Sequence, residues 1–149
     1  MQISLIITTY NRPDALLLVL KSIEHQSLVP NEVIIADDGS NAKTQELIDD
    51  FITHSNINIV HSFQKDKGFR AAKSRNKAIS KSTGDYIILI DGDMILHHNF
   101  VYDHKQNAQN GYFTQGGRAL LSQKKSNEVL RAKYVAFNLL SSGLNNRKN

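Results

Sequence analysis

The sequence predicts an α/β domain: a mostly parallel sheet with helices packed on its faces. Four short runs rich in Ile, Val and Thr are separated by stretches whose apolar residues recur at helical spacing. The last run, Tyr86-Ile87-Ile88-Leu89-Ile90, ends in Asp91-Gly92-Asp93, two carboxylates one residue apart. An apolar run of that kind predicts a strand buried on both faces, with the acidic pair emerging at its carboxyl end, where open α/β sheets place their ligands.

Taken in order, Ile3 to Thr9 predicts the first strand, and Asn11-Arg12-Pro13-Asp14 supplies a turn and a proline suited to a helix's first turn. Leu16, Val19, Leu20 and Ile23 form that helix's apolar stripe. Glu32 to Ala36 predicts the second strand, ending in Asp37-Asp38-Gly39-Ser40. Ser40 or Asn41 then caps a helix with Leu47, Ile48, Phe51 and Ile52 inward. Ile57 to Val60 is a shorter third strand. From about Phe69 to Ser80 a third helix is expected, with Ala72, Asn76 and Ile79 on one side and Arg70, Lys73, Lys77 and Lys81 along another. Thr83-Gly84-Asp85 turns the chain into the strand that ends at Asp91. Beyond Asp93 the pattern predicts a helix over Asn99 to Gln109, a strand over Gly111 to Gln115, a turn at Gly116-Gly117 and an amphipathic helix over Val129 to Leu140. Strand and helix in alternation demand right-handed crossovers in a parallel sheet.

At 149 residues the chain fits one domain, and a domain of this size buries about 70% of the surface its unfolded chain exposes. The absence of cysteine excludes disulfides, thiolate zinc sites and cysteine nucleophiles. Nothing at the N-terminus resembles a signal peptide and no run approaches the roughly 18 apolar residues of a membrane span, so the expected location is the cytoplasm. The net charge of +4 is unevenly spread: residues 61–81 carry 7 basic and 1 acidic side chains, as do residues 118–149, whereas residues 1–60 and 82–117 are acidic. Such zones are usually solvated faces, yet they also suit an anionic ligand or an anionic membrane surface. With no aromatic interleaving, zinc-ligand spacing or known motif, no nucleic-acid partner is expected.

Three loops follow strands of one sheet, so Thr8-Thr9-Tyr10, Asp37-Asp38-Gly39-Ser40 and Asp91-Gly92-Asp93 should open onto the same edge. Each alone is an ordinary turn; together they suit a nucleotide diphosphate. Tyr10 would flank a base, a carboxylate would accept from base N–H or ribose hydroxyls, and Mg²⁺ or Mn²⁺ held by carboxylates would sit on the phosphates. His97-His98 is a weaker metal candidate, since adjacent residues on an extended segment point apart, and a surface turn is the expectation. His25, His54, His61 and His104 have no evident partner.

The residues Ile6-Ile7-Thr8-Thr9-Tyr10-Asn11-Arg12-Pro13, Ala36-Asp37-Asp38-Gly39-Ser40, Gly68 to Asn76, Gly84-Asp85-Tyr86 and Asp91-Gly92-Asp93 resemble, in identity, order and spacing, the family 2 inverting glycosyltransferases of the GT-A fold. The resemblance covers about residues 3–120. It implies a Rossmann-like nucleotide-diphospho-sugar fold, with Thr8, Tyr10 and Asp38, together with Asp37, at the base. Arg70 falls near the nucleotide or diphosphate, Asp91 near the ribose or metal, and Asp93 on the metal. It also implies transfer from a nucleotide diphosphate sugar, most often a UDP-sugar, to a saccharide, lipid-linked or other hydroxyl acceptor, dependent on Mn²⁺ or Mg²⁺. Cell-envelope polysaccharide or lipopolysaccharide synthesis is the expected setting.

One departure stands out. The family carries a catalytic Asp or Glu in an acceptor-binding half, whereas beyond Asp103 this chain has a single acidic residue, Glu128, in no matching motif. The expectation is therefore one domain over 1–149, with about 1–95 binding the nucleotide and about 96–149 forming part of the acceptor side. A non-catalytic nucleotide-sugar-binding module is the alternative. Peripheral association with the inner face of a membrane, and a homodimer across an uncovered apolar face, stay open. A haloacid-dehalogenase-type phosphatase also uses Asp-x-Asp, but after the first core strand rather than the fourth. An EF-hand fails at Ile95 and Leu96, which stand where a ligand and the glycine belong.

Overall fold

The computed structural model describes residues 1–133 and 142–145. Strands β1 (Ile3–Thr9), β2 (Glu32–Asp37), β3 (Ile59–Phe63) and β4 (Tyr86–Asp91) form a four-stranded parallel sheet in the order β3-β2-β1-β4. Helices α1 (Pro13–Glu24), α2 (Ala42–His54), α3 (Ala71–Ile79) and α4 (Phe100–Asn107) follow the strands in turn. A small antiparallel pair, β5 (Leu120–Leu121) and β6 (Leu144–Asn145), flanks helix α5 (Gln123–Ala132). No helix among the described residues is long and apolar enough to cross a membrane.

The core follows from strand alternation. Ile3, Leu5, Ile7, Val33 and Ile35 pack against Leu16, Val19, Leu20 and Ile23 of α1 and Ile48 of α2, while Ile6, Ile34 and Ala36 on the other face meet Ala78 of α3. Pro13 occupies the first turn of α1 as its fixed φ favours, and Asn41 caps α2 by accepting from Thr44 N at 3.4 Å. Leu47, Ile48 and Phe51 turn inward on α2 as expected, but Ile52 is exposed.

Five expectations are corrected. β4 is not buried on both faces: it is an edge strand whose Ile88 and Ile90 enter the core while Ile87 and Leu89 stay 37% and 51% exposed, because α3 covers the inner strands on that face. β3 begins and ends later than the apolar run, since its register is set by β2 out to the Asp37–Phe63 pair. On α3 the buried stripe is Ala71, Ser74 and Ala78, with Ile79 partly buried against the same cluster, and not Ala72 and Asn76; small side chains let the helix lie close to the sheet. The segment 111–115 forms no strand, and Tyr112 and Phe113 are exposed, because alternation makes no strand without a neighbour to pair with. The last helix starts at Gln123, where Ser122 caps it, and ends at Ala132; residues 134–140 of the expected helix lie outside the described residues.

At the amino edge of the sheet, the buried Glu32 carboxylate ties three segments together. Its Oε1 accepts from Ser4 Oγ at 2.6 Å, Thr83 N at 2.6 Å and Thr83 Oγ1 at 2.9 Å, and Ser4 Oγ in turn accepts from Gly84 N at 2.9 Å. Burial raises the Glu32 pKa, but these hydrogen bonds outweigh it and hold the group below the ordinary carboxylate range. A depressed folded pKa gives stability that is complete above the unfolded value, about 4.3, and is lost as pH falls through the folded one. Glu32→Gln should therefore cost about 1–3 kcal/mol in denaturant unfolding at pH 7, and the gap from wild type should close in acid. A gap unchanged down to pH 2 would show that the charge is not what stabilises this junction.

Candidate functional site at the carboxyl edge of the sheet

β1 lies between β2 and β4, with Thr8 opposite Ala36 on one side and Asp91 on the other. Its last carbonyls hold both acidic turns: Thr8 O accepts from Gly92 N at 2.8 Å and Thr9 O from Asp38 N at 3.1 Å. A Cβ on Gly92 would fall 2.7 Å from Thr8 O, so Asp-Gly-Asp needs its glycine for this approach. Thr8, Thr9, Arg12, Asp91, Gly92 and Asp93 then line a cleft of about 230 Å³.

Arg12 is the cation that lines this cleft; the adjoining hollow, which shares Asp91 with it, is lined by Arg75. Arg75 Nε donates to Thr8 Oγ1 at 2.8 Å and its Nη2 to Asp91 Oδ1 at 2.7 Å. Both partners are substantially exposed, so the ion pair contributes at most about 1 kcal/mol to stability. Its consequence is orientation: two anchors fix the guanidinium plane, and the remaining N–H donors are left for an anion. Sequence reasoning missed this role because it rotated α3 wrongly. With Ala71, Ser74 and Ala78 inward, position 75 falls on the same helix face. Arg70, the expected cation, instead precedes α3 and donates from Nη2 to Lys65 O. Lys73, Lys77 and Lys81 are solvent-exposed.

Asp93 is exposed and, among the described residues, has neither a hydrogen-bond nor an ion-pair partner. Asp91 keeps Oδ2 free. Two open carboxylates of hard oxygen donors fit a divalent ion that completes its shell with water and phosphate; no cluster of three or more ligating side chains occurs among the described residues.

Asp37 and Asp38 divide their work. Both are buried, but Asp37 serves its own turn: Oδ1 accepts from Gly39 N at 3.1 Å and Ser40 N at 2.8 Å, and Oδ2 meets His61 Nε2 at 2.9 Å. Burial raises its pKa, yet the bonds from His61 and Ser40 prevail and keep it below the ordinary carboxylate range. Asp38 reaches across to the loop after β3, accepting from Arg70 N at 2.7 Å and from the Gln64 amide. That loop rests on Gly39, whose φ of +97° and missing Cβ admit the Asp66 backbone 2.5 Å from where a Cβ would stand. Tyr10, 48% exposed, donates its hydroxyl to Asp66 Oδ2 at 3.0 Å.

The other candidates stand apart. Glu128 is exposed on α5, with Oε2 3.3 Å from Lys125 Nζ, and does not line the cleft. His97 and His98 are exposed. The histidines without a sequence-level partner do acquire them: His61 on Asp37, His54 on Asp50, His25 on Lys21 O, and His104 on the Tyr86 hydroxyl at 3.1 Å.

A family model for glycosyl transferase family 2 matches residues 4–147. The chain is 38% identical over 93 residues to a hyaluronan synthase of Pasteurella multocida, covering 62% of this chain and 9% of that protein. It is 32% identical over 108 residues to glycosyltransferase GlyG of Streptococcus pneumoniae, covering 72% of this chain and 35% of that one. The chain thus spans about a third or less of these relatives. Among solved structures, that of S. aureus TarS in complex with UDP-GlcNAc superposes with a TM-score of 0.61 at 21% identity, over 78% of this chain and 37% of that one. Mannosyltransferase PcManGT of Pyrobaculum calidifontis, in complex with GDP-Man and Mn²⁺, gives 0.55 at 23% identity, over 62% and 27%. The fold is therefore that of the GT-A glycosyltransferases.

The buried Asp37–His61 pair makes a stability prediction. Losing a buried carboxylate that accepts hydrogen bonds from His61, Gly39 and Ser40 costs about 1–3 kcal/mol, so Asp37→Ala should lower the denaturation midpoint at pH 7. Because the folded pKa is depressed, wild type should lose this advantage only as pH falls below about 3.9, the unfolded value. A loss under 1 kcal/mol on equilibrium unfolding would mean that the turn holds its shape without the carboxylate.

Proposed function

The chain belongs to glycosyl transferase family 2, and from that premise we propose that its carboxyl-edge cleft binds a nucleotide diphosphate sugar, a UDP-sugar by preference, for transfer to a hydroxyl acceptor. The observation that carries this is the pairing of an oriented cation, Arg75 on Thr8 and Asp91, with the uncommitted carboxylate of Asp93. A diphosphate needs both: N–H donors for its oxygens and a carboxylate for its counter-ion. Residues 1–95 form the nucleotide part in this reading, and residues 96–149 belong to the acceptor side.

Asp91 and Asp93 would hold Mn²⁺ or Mg²⁺, which when bound neutralises charge on the departing diphosphate as a Lewis acid. In the transfer itself, the acceptor hydroxyl oxygen attacks the anomeric carbon from the face opposite the diphosphate, its proton passes to a general base, and the bond to the leaving oxygen breaks, inverting the centre. Arg75 stabilises the negative charge that builds on that oxygen, from a position fixed before reaction. Tyr10 flanks the base and Asp38 accepts from it. Asp37 acts indirectly, by shaping the turn that presents Asp38. The name of the hyaluronan synthase relative favours a growing saccharide as acceptor.

A second reading has its own support: Asp91 and Asp93 are the only carboxylates lining the cleft among the described residues, and both are assigned to the donor side. Inversion also needs a base within about 3 Å of the acceptor hydroxyl. Residues 1–149 alone would then bind the donor and transfer it slowly or not at all. A product assay with saccharide acceptors separates the two readings, and robust turnover abolished by Glu128→Gln would make Glu128 the base.

Calorimetry with UDP should show affinity that rises with Mn²⁺ and falls on chelation. Asp93→Asn should retain the fold and lose most of the metal-dependent part; equal affinities in wild type and variant with Mn²⁺ would remove Asp93 as a ligand. Arg75→Ala should weaken UDP by about 1.5–3 kcal/mol, the value of charged hydrogen bonds, and uridine much less. Equal losses for both ligands would argue against a phosphate role. Asp38→Ala should cost UDP about 1–3 kcal/mol and leave inorganic pyrophosphate unaffected.

A further inference from the structure

The loop between β3 and α3 carries a residue, Asp66, that lies in none of the sequence motifs. Asp66 uses both carboxylate oxygens: Oδ2 accepts the Tyr10 hydroxyl at 3.0 Å and Oδ1 accepts Gly68 N at 3.0 Å. Beneath it, the missing Cβ of Gly39 lets the Asp66 backbone lie directly on the Asp-Asp-Gly-Ser turn. Behind it, the Gln64 amide and Arg70 N hold the same loop to the Asp38 carboxylate. The loop is thus fixed at several points, and Tyr10, on a separate loop after β1, is fixed to it at the far end of its ring. An aromatic side chain held only at Cα and Cβ turns about two torsions; tethering the hydroxyl removes most of that freedom before any ligand arrives.

We infer that Asp66 is a positioning residue, holding the Tyr10 ring as a preset wall of the nucleobase site so that base recognition depends on the β3–α3 loop. The inference rests on the reading that Tyr10 flanks the base. The hydrogen bond to Asp66 also holds the Tyr10 phenol above its ordinary pKa, which supplies a signature of the contact.

The test uses the whole chain with Mn²⁺ and two probes, UDP and inorganic pyrophosphate, in calorimetry. Tyr10→Phe keeps the ring and removes only the tether, and Asp66→Ala removes the other end. Each should weaken UDP by about three- to tenfold, the equilibrium worth of one hydrogen bond, and leave pyrophosphate unchanged. The double variant should be no weaker than either single one, since both break the same contact. Asp66→Asn should lower the phenol titration seen as the absorbance difference between the Asp66→Asn chain with and without Tyr10→Phe, relative to the same difference in the wild-type background. Additive losses, equal losses for pyrophosphate, or unchanged UDP affinity in Tyr10→Phe would overturn the inference. Tyr10→Ala distinguishes the two levels: if it weakens UDP while Tyr10→Phe and Asp66→Ala do not, the positioning role fails alone. If Tyr10→Ala leaves UDP affinity unchanged, the base reading fails and the inference falls with it.

Discussion

The site depends on one backbone constraint: the carboxyl end of β1 serves two neighbours at once. Thr8 O and Thr9 O accept the amides of Gly92 and Asp38, and so the turns after β4 and β2 are pinned within two residues of each other on the central strand. Parallel pairing at matched register brings these turns to one edge, and the hydrogen bonds past the last ladder pair keep them there. The carboxylates of Asp38, Asp91 and Asp93 owe their placement to these main-chain bonds. A glycine at position 92 is the condition for one of them, because any side chain would meet the Thr8 carbonyl.

On that frame, two adjacent aspartates behave differently because one strand residue separates their directions. Asp37 is still in β2 and faces inward, where a buried carboxylate has to be bonded to remain charged, and His61 with the amides of Gly39 and Ser40 provides those bonds. Asp38 lies past the strand end and turns to the loop after β3. The burial of the first therefore fixes the position of the second. This coupling explains why the turn contains a carboxylate bonded wholly within the fold.

Arg75 illustrates the reverse case, in which exposure limits what a well-formed contact adds to stability. Its contact with Asp91 is screened by solvent and contributes little to folding. The same contact, with the bond to Thr8, fixes a charged, planar donor set beside Asp91 at the carboxyl edge of the sheet. Preorganisation of that kind lowers the cost of binding and of stabilising developing charge, because the groups do not have to reorient.

The sequence by itself determined the four strands, the helices between them, and the three turns that meet at one edge, because apolar periodicity and Gly, Pro and Asp punctuation are local signals. It also determined Thr8, Asp91 and Asp93 as cleft residues, since neighbouring parallel strands bring their carboxyl ends to one edge of the sheet. Tertiary structure alone decided what depends on neighbours. The rotation of α3, set by Ala71, Ser74 and Ala78 against the sheet, brought Arg75 onto Thr8 and Asp91 beside the cleft. The edge position of β4 exposed Ile87 and Leu89, and the lack of a pairing strand left 111–115 irregular. His61 found Asp37, and Asp66 found Tyr10, across 24 and 56 residues of sequence. Contacts at that separation leave no trace in a local pattern, because they exist only once the strands between them have paired.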